Sequence, residues 1–197
     1  MARPRTVQDE QLLEAAQDLL FELGPAFTLE RVASRAGVSA ATLIKRFGSK
    51  RELLLALNRR WLDSLGPELD ALTAAHATAL GRLRAVANWG FDDLDRPDNA
   101  ATQLTALAHD LQDDEMRAQL RAGWQVLGDR LTRLARAAIA AGELPAAPSA
   151  TQVARILLAL GEGTRITWSV APRGSLVRRA RADVDAVLDA WGAAPRS

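Results

Sequence analysis

The sequence predicts an all-α protein, with a small helical domain at the amino end and a larger helical bundle after it. Three observations predict this fold class. Apolar residues recur at spacings of three and four along most of the chain, Gly and Pro separate these periodic stretches, and no stretch alternates apolar and polar residues as a strand does. With 197 residues, 48% of them hydrophobic, the chain can bury a sizeable core.

The first three predicted helices are short and closely spaced. The first spans 8–23 and ends at Gly24-Pro25, a pair that stops helices. The second begins at a Thr28 cap and ends at Gly37, and the third begins at a Ser39 cap and continues for about two turns. Three small helices in succession indicate a compact amino-terminal domain.

A longer fourth helix over 49–65 opens with the capping-box pattern of Ser49 and Glu52, and Gly66-Pro67 is expected to break or kink the chain after it. The remaining helices are predicted at 69–78, 80–95, 98–112, 113–141, 149–170 and 175–191. We therefore expect one domain over residues 1–50 and a second over 51–197, joined by the fourth helix.

Charge is distributed unevenly, although the net charge is only +1. Residues 9–30 contain six acidic and no basic residues, whereas residues 31–60 contain eight basic residues and one acidic residue. A local basic block in a near-neutral chain indicates an anionic partner, and a solvated basic helix face is the alternative.

Several classes of protein are disfavoured by composition. The chain has no Cys, which excludes disulfides, a thiolate nucleophile and Cys-ligated metals. It has no Tyr, and its two His, His76 and His109, are far apart, so we expect no enzyme, no metal site and no cofactor. The absence of a signal core or a long apolar run predicts a cytoplasmic protein without a membrane partner.

The segment from Thr28 to Phe47 has the pattern of a helix-turn-helix. Ala33 is small where the two helices would touch, Gly37 tolerates the positive φ of the turn, and Leu43 would hold the second helix from behind. An ordinary helical hairpin is the alternative, because A-x-x-x-G is common. The basic block over the second helix favours DNA, since such a helix fits the major groove.

These residues also resemble a known family. The order T…VA…AGVS…TL…F…SK…L, within about residues 7–57, is similar to the DNA-binding segment of the TetR family of bacterial transcriptional regulators. The resemblance implies that the outward residues of the third helix and the adjoining caps contact an operator in double-stranded DNA. The residues assigned to this DNA contact are Thr28, Ser39, Ala40, Ala41, Thr42, Ile44, Lys45, Arg46 and Lys50.

Two positions depart from the family pattern. Ile44 stands where the family usually has Tyr, and it can press on a thymine methyl but cannot donate a hydrogen bond. Arg46 stands where His is frequent, and it can pair with guanine or contact phosphate. Lys50, at the start of the fourth helix, is expected to bind phosphate.

The resemblance further implies that the second domain forms a homodimer and holds a pocket for a small-molecule effector, as yet unidentified. The last two helices are more apolar than one buried stripe requires, although completing the core of one chain is the alternative. Candidate interface residues are Val153, Ile156, Leu157, Leu160, Val177, Val184, Val187, Leu188 and Trp191. Candidate pocket residues are Trp89, Phe91, His109, Trp124, Glu162, Arg165 and Trp168. The alternative for the aromatic residues is a place in the core, and for Glu162 and Arg165 it is exposure or a mutual salt bridge.

The sequence thus predicts a homodimeric, ligand-responsive regulator that binds a palindromic operator, with repression as its expected effect. A non-specific architectural DNA-binding protein is the second interpretation. The two differ in one property, because only the first prefers a palindrome to random DNA.

Overall fold

The computed structural model describes the backbone of residues 5–91 and 94–193, and the side chains of residues 9–91, 94–96 and 98–193. Within these residues the chain is all-α, as the apolar periodicity predicts. The helices are α1 (Arg5–Leu23), α2 (Leu29–Arg35), α3 (Ala40–Phe47), α4 (Lys50–Ala74), α5 (Ala79–Ala87), α6 (Pro97–Asp110), α7 (Asp114–Ala140), α8 (Ala150–Val170) and α9 (Leu176–Gly192). A short 3₁₀ helix, Gly24–Ala26, follows α1.

Most helix ends fall within two residues of their predicted positions, because they depend on local capping. Ser149 caps α8 with a reciprocal capping box to Gln152, and Ser175 caps α9. Thr78 caps α5 by accepting a hydrogen bond from the Gly81 amide.

Two predicted boundaries are wrong. The chain does not break at Gly66-Pro67: α4 continues through Pro67 to Ala74 and absorbs most of the helix predicted at 69–78. Proline removes one backbone hydrogen bond, but Leu65 and Leu69 on either side of it are fully buried and hold the helix together.

The helix predicted at 80–95 ends at Ala87 instead. Gly90 has φ +84°, a conformation that an α-helix does not accommodate. Phe91 follows it outside the helix, and its ring is buried. Residues 92 and 93 of that prediction lie outside the described residues.

The chain divides into two compact units. The first contains the described residues up to Asp63 together with Ala101–Arg121, and the second contains Ser64–Ala100 together with the residues from Ala122 onward. The predicted division at residues 50 and 51 remains a prediction.

The core of the first unit is formed by α1 to α4 and one residue of α7. Leu12, Val32, Leu43 and Leu55 are each at most 3% exposed, and Met116 of α7 joins them. This core fixes the backs of the short helices α2 and α3, which are too short to be stable alone.

A separate core in the second unit contains the indole of Trp168 on α8, together with Phe91, Leu94 and Leu176.

Candidate nucleic-acid interface

Helices α2 and α3 form the predicted helix-turn-helix. Gly37 adopts φ +68°, as predicted for the turn, and Ala33 is buried where the helices meet. The Val38 amide donates to the Ala33 carbonyl at 2.9 Å, which closes the turn. The compact bend therefore comes from a left-handed glycine and a small residue at the contact.

The third helix has one buried side. Leu43 is fully buried in the core of the first unit, and Ala40 and Phe47 are partly buried against that core. Gly48, with φ +80°, ends the helix. The two strongly basic residues of α3, Lys45 and Arg46, both lie in its last turn, where they complement the helix dipole.

The opposite side of α3 faces solvent. Ala41, Thr42, Ile44 and Lys45 are exposed, with Ile44 at 47% despite its apolar side chain. An exposed isoleucine on this side of α3 suits contact with the methyl group of a thymine. We call these four residues the recognition face.

The predicted caps are in place. The Ser39 hydroxyl accepts from the Thr42 amide at 3.1 Å and lies 2.9 Å from the Thr42 hydroxyl. The Thr28 hydroxyl accepts from the Arg31 amide at 3.4 Å. Both capping residues are exposed, so their hydroxyl groups lie at the surface that carries the helix N-termini.

Arg46 has a different environment from the recognition face. Its Nε donates to Oδ1 of Asp9 on α1 at 2.5 Å, and its side chain is only 16% exposed. The sequence predicted that Arg46 is wholly or partly outward; the structure leaves it partly exposed and pairs it with α1, and its contact with DNA stays a prediction.

Lys50 also has partners within the unit. Its ammonium donates to the Pro25 carbonyl and lies 4.9 Å from the centre of the Phe27 ring. Burial lowers the pKa of the Lys50 ammonium below its usual value. An ammonium has three donors, so the bond to Pro25 leaves capacity for a phosphate oxygen.

Sequence reasoning missed the pairing between the acidic and basic blocks. Besides Asp9 with Arg46, Glu22 forms a bidentate pair with Arg35 at 2.7 and 2.8 Å, and Glu10 pairs with Arg60 at 2.8 Å. The available signal was the acidic run in α1 immediately before the basic block. Part of the basic charge is therefore neutralised within the unit.

A cluster at the start of α4 ties it to the start of α7. Arg51 donates to both carboxylate oxygens of Asp113, at 2.7 and 3.0 Å, and to Glu115 at 3.1 Å. Asp113 also accepts from the backbone amides of Glu115 and Met116, so it caps α7. The Arg51 guanidinium, followed by these amides, lowers the pKa of Asp113 to about 2.

A cavity of about 300 Å³ lies beside this cluster. Its lining includes His109, one of the predicted effector residues, with Arg51, Asp113 and Met116. His109 Nδ1 is 3.4 Å from an Asp110 carboxylate oxygen, and Asn58 donates to the same carboxylate.

The other predicted effector residues lie in the second unit, and only some of them are brought together. Arg165 is 5.6 Å from the centre of the Phe91 ring and 3.6 Å from Glu162, while Trp168 is buried in the core that contains Phe91. Trp89 is half-buried. Trp124 is 44% exposed.

Three polar atoms in this group are buried without a hydrogen-bond partner among the described residues: Nε1 of Trp168, Nε of Arg165 and Oε2 of Glu162. Unsatisfied buried donors and acceptors are rare in folded proteins and are common where a ligand or water completes the site.

Burial narrows the set of predicted interface residues. Val153, Leu157, Val184 and Leu188 are at most 1% exposed within one chain, so they form its core and are removed from the candidate interface. The others retain exposed surface; they are Ile156, Leu160, Val177, Val187 and Trp191. Ile166 and Val170 on α8, which the sequence reasoning missed, are also exposed, Val170 at 83%.

In the part of the chain that the structure describes, no helix is long and apolar enough to cross a membrane. Over the same residues, no group of three or more His, Cys, Asp or Glu side chains has the arrangement of a metal site.

A helix-turn-helix unit followed by a helical second unit defines the class of the protein as a helix-turn-helix transcriptional regulator. Residues 12–57 match the family model of bacterial regulatory proteins of the tetR family, and residues 79–193 match the model of the BetI-type transcriptional repressor C-terminal domain. The chain belongs to the TetR family of bacterial transcriptional regulators.

Two named relatives illustrate the similarity. The HTH-type transcriptional regulator BetI 1 of Chromohalobacter salexigens is 30% identical over 183 residues, which cover 89% of this chain and 85% of the relative. The HTH-type transcriptional activator FasR of Mycolicibacterium smegmatis is 36% identical over 90 residues. That match covers 45% of this chain and only 41% of FasR.

Solved structures share the fold. A transcriptional regulator from Saccharomonospora viridis, solved in complex with choline, superposes with a TM-score of 0.80 at 21% identity and covers 94% of this chain and 97% of its own. FadR of Bacillus subtilis, solved with stearoyl-CoA, gives a TM-score of 0.74 at 19% identity, with coverages of 91% and 97%.

Proposed function

We propose that the protein is a homodimeric, ligand-responsive repressor that binds a palindromic operator and is released by a small-molecule effector. One observation carries the DNA-binding part: the buried Leu43 and the exposed Ile44 and Lys45 give α3 a fixed back and an open, basic front. The family membership and the BetI-type repressor match support the regulatory part.

The proposed operator contacts are divided by type. The recognition face provides the base contacts, and Lys50, Ser39 and Thr28 provide phosphate contacts from helix N-termini. A two-fold dimer would place two such faces in successive major grooves, about 34–36 Å apart. A palindrome is then required because each half-site meets the same face.

The dimer contact is proposed on α8 and α9. Ile156, Ile166 and Val170 leave apolar surface exposed along α8, and Val187 and Trp191 do so on α9. Exposed apolar side chains on helices that are otherwise packed are expected at a subunit interface.

The effector site is proposed around Phe91, Glu162, Arg165 and Trp168. The buried polar atoms without partners in this group are the feature that a ligand would satisfy. Of the two ligands seen in the structural relatives, choline is the candidate for this site, because carboxylates and aromatic rings bind organic cations. It would have to take the place that the Arg165 guanidinium occupies beside the Phe91 ring and Glu162. Helix α4 contains residues of both units, and it is the proposed element through which effector binding changes DNA binding.

The experiment that tests DNA recognition is selection of bound sequences from a random duplex pool, followed by competition at fixed salt. The proposal predicts an enriched palindrome that competes at least about a thousandfold better than random DNA, the lower end of the specificity typical of such regulators. Equal competition by palindrome and random duplex would instead favour an architectural DNA-binding protein.

The effector proposal is tested by thermal unfolding with choline and with stearoyl-CoA. Choline at a hundred times its dissociation constant would stabilise the fold by about 2.7 kcal/mol. The test variant is Glu162→Gln, which removes the charge but keeps the shape of the side chain. We expect it to abolish the rise in melting temperature caused by choline. A shift of equal size in that variant would place choline elsewhere.

A further inference from the structure

The pairing of Arg46 with Asp9 assigns a role to both residues. Arg46 lies in the last turn of α3, the helix proposed to enter the major groove, but its Nε is 2.5 Å from Asp9 on α1. The Arg46 side chain is 16% exposed, while the side chain of Asp9 is 45% exposed. The covered member of the pair is therefore the arginine.

Helix geometry explains why Arg46 is covered. Residues in an α-helix are about 100° apart, so Arg46 lies about 60° from Leu43, which marks the fully buried direction. Ala41 and Lys45 lie about 160° from that direction, near the centre of the exposed side. Arg46 is thus at the flank of α3 that faces α1, outside the recognition face.

Moving Arg46 to a base edge would break an ion pair whose arginine is mostly covered, although the carboxylate of Asp9 is about half exposed. Separating such a pair leaves Asp9 without its partner and requires a new arrangement of the guanidinium. The intact pair instead helps to orient α3. This helix has only eight residues and depends on contacts with neighbouring helices for its position.

We infer that Asp9 and Arg46 are a positioning pair that fixes the recognition helix on α1, and that base discrimination at this end of α3 belongs to Ile44 and Lys45. The inference rests on the proposed operator binding by α3. Asp9 then favours DNA binding, although its negative charge alone would oppose the approach of phosphate.

The test uses the full-length protein and the selected operator duplex, with a set of duplexes in which each base pair of one half-site is changed. Dissociation constants are measured for wild type, Asp9→Asn, Arg46→Gln and the double variant. Asp18→Asn is the matched control, because it removes an exposed negative charge from α1. Urea midpoints establish that each variant is folded.

The positioning role predicts that Asp9→Asn and Arg46→Gln each weaken operator binding by about three- to tenfold, and that the double variant is no weaker than either single variant. The preference at every base pair stays as in wild type. Arg46→Lys also weakens binding, because an ammonium cannot reproduce the bond made by Nε.

Three results would overturn the inference. The first is tighter binding by Asp9→Asn than by Asp18→Asn, which would make Asp9 a competitor of DNA for Arg46. The second is loss of discrimination at one base pair by about tenfold in Arg46→Gln, which identifies a base contact. The third is unchanged binding in both variants. If the wild-type protein itself shows no operator preference, the proposed function fails instead.

Discussion

Two basic side chains near the proposed DNA surface have partners within the protein, and the partners decide their roles. Lys50 bonds to the Pro25 carbonyl through one of three donors, so its ammonium is held in place and can still meet a phosphate. Arg46 is covered and paired with Asp9. Equal charge in the sequence therefore does not imply equal access to DNA.

Replacing Lys50 by Gln should weaken binding to every duplex to a similar extent. The reason is that a phosphate contact carries no base information but releases counterions. The slope of log Kd against log salt should fall by about one. Titrations at four salt concentrations measure this slope, and Arg155→Gln on α8 is the control. An unchanged slope in Lys50→Gln would show that Lys50 does not contact phosphate.

The turn and the starts of α2 and α3 could be predicted from sequence, because the turn chemistry of Gly37 and the caps at Thr28 and Ser39 act over a few residues. The partner of Arg46 could not, since Asp9 is 37 residues away and six acids in that run were equally eligible. Likewise, the buried and exposed members of α8 and α9 are distinguished only by tertiary packing.

Individual helices are stabilised by contacts beyond their own sequences. Leu43 fixes the back of α3, Leu65 and Leu69 carry α4 across Pro67, and Asp113 caps α7 while pairing with Arg51. Of the break or kink expected at Gly66-Pro67, the break was wrong for this reason: local propensity favoured a stop, and the buried leucines outweighed it.

Leu43→Ala should destabilise the protein by about 2–5 kcal/mol, because it leaves a cavity behind the recognition helix. The adjacent Ile44→Ala should change stability by no more than about 0.5 kcal/mol, since that side chain is exposed. Urea unfolding measures both. Similar losses from the two substitutions would show that the buried and exposed sides of α3 are assigned incorrectly.

The link between α4 and α7 should be sensitive to acid. The pKa of Asp113 is about 2 in the folded protein and 3.8 ordinarily, so its pairing stabilises the fold above about pH 4. That contribution is lost as pH falls from about 4 towards 2. The urea midpoint of Asp113→Asn should lie below that of wild type at pH 6, and the gap should narrow towards pH 3. A constant gap would contradict the charge-based role.

At the scale of the whole molecule, helices carry the chain between its compact units. Helices α4, α6 and α7 each contain residues of both units. A regulator needs a structural element through which one site influences another, and a continuous helix is a physical candidate for that role.

Dimer formation should depend on the exposed apolar surface of α8. Ile156→Glu places a charge on that surface and should shift sedimentation from dimer to monomer at micromolar concentration, because a buried unpaired carboxylate is costly. Leu111→Glu is the matched control, being a similarly exposed apolar residue in the first unit. If the dimer tolerates Ile156→Glu but dissociates with Leu111→Glu, the interface includes the surface around Leu111 and not the exposed side of α8.

The central claim is that the exposed side of α3 meets duplex DNA, and Ala41→Glu tests it most directly. Ala41 is exposed and lies opposite the buried Leu43, so a carboxylate there should leave the urea midpoint within about 0.5 kcal/mol of wild type. Fluorescence anisotropy with the selected operator should then show at least a hundredfold loss of affinity, because the new charge faces phosphate. Wild-type affinity in the folded Ala41→Glu protein would contradict the account.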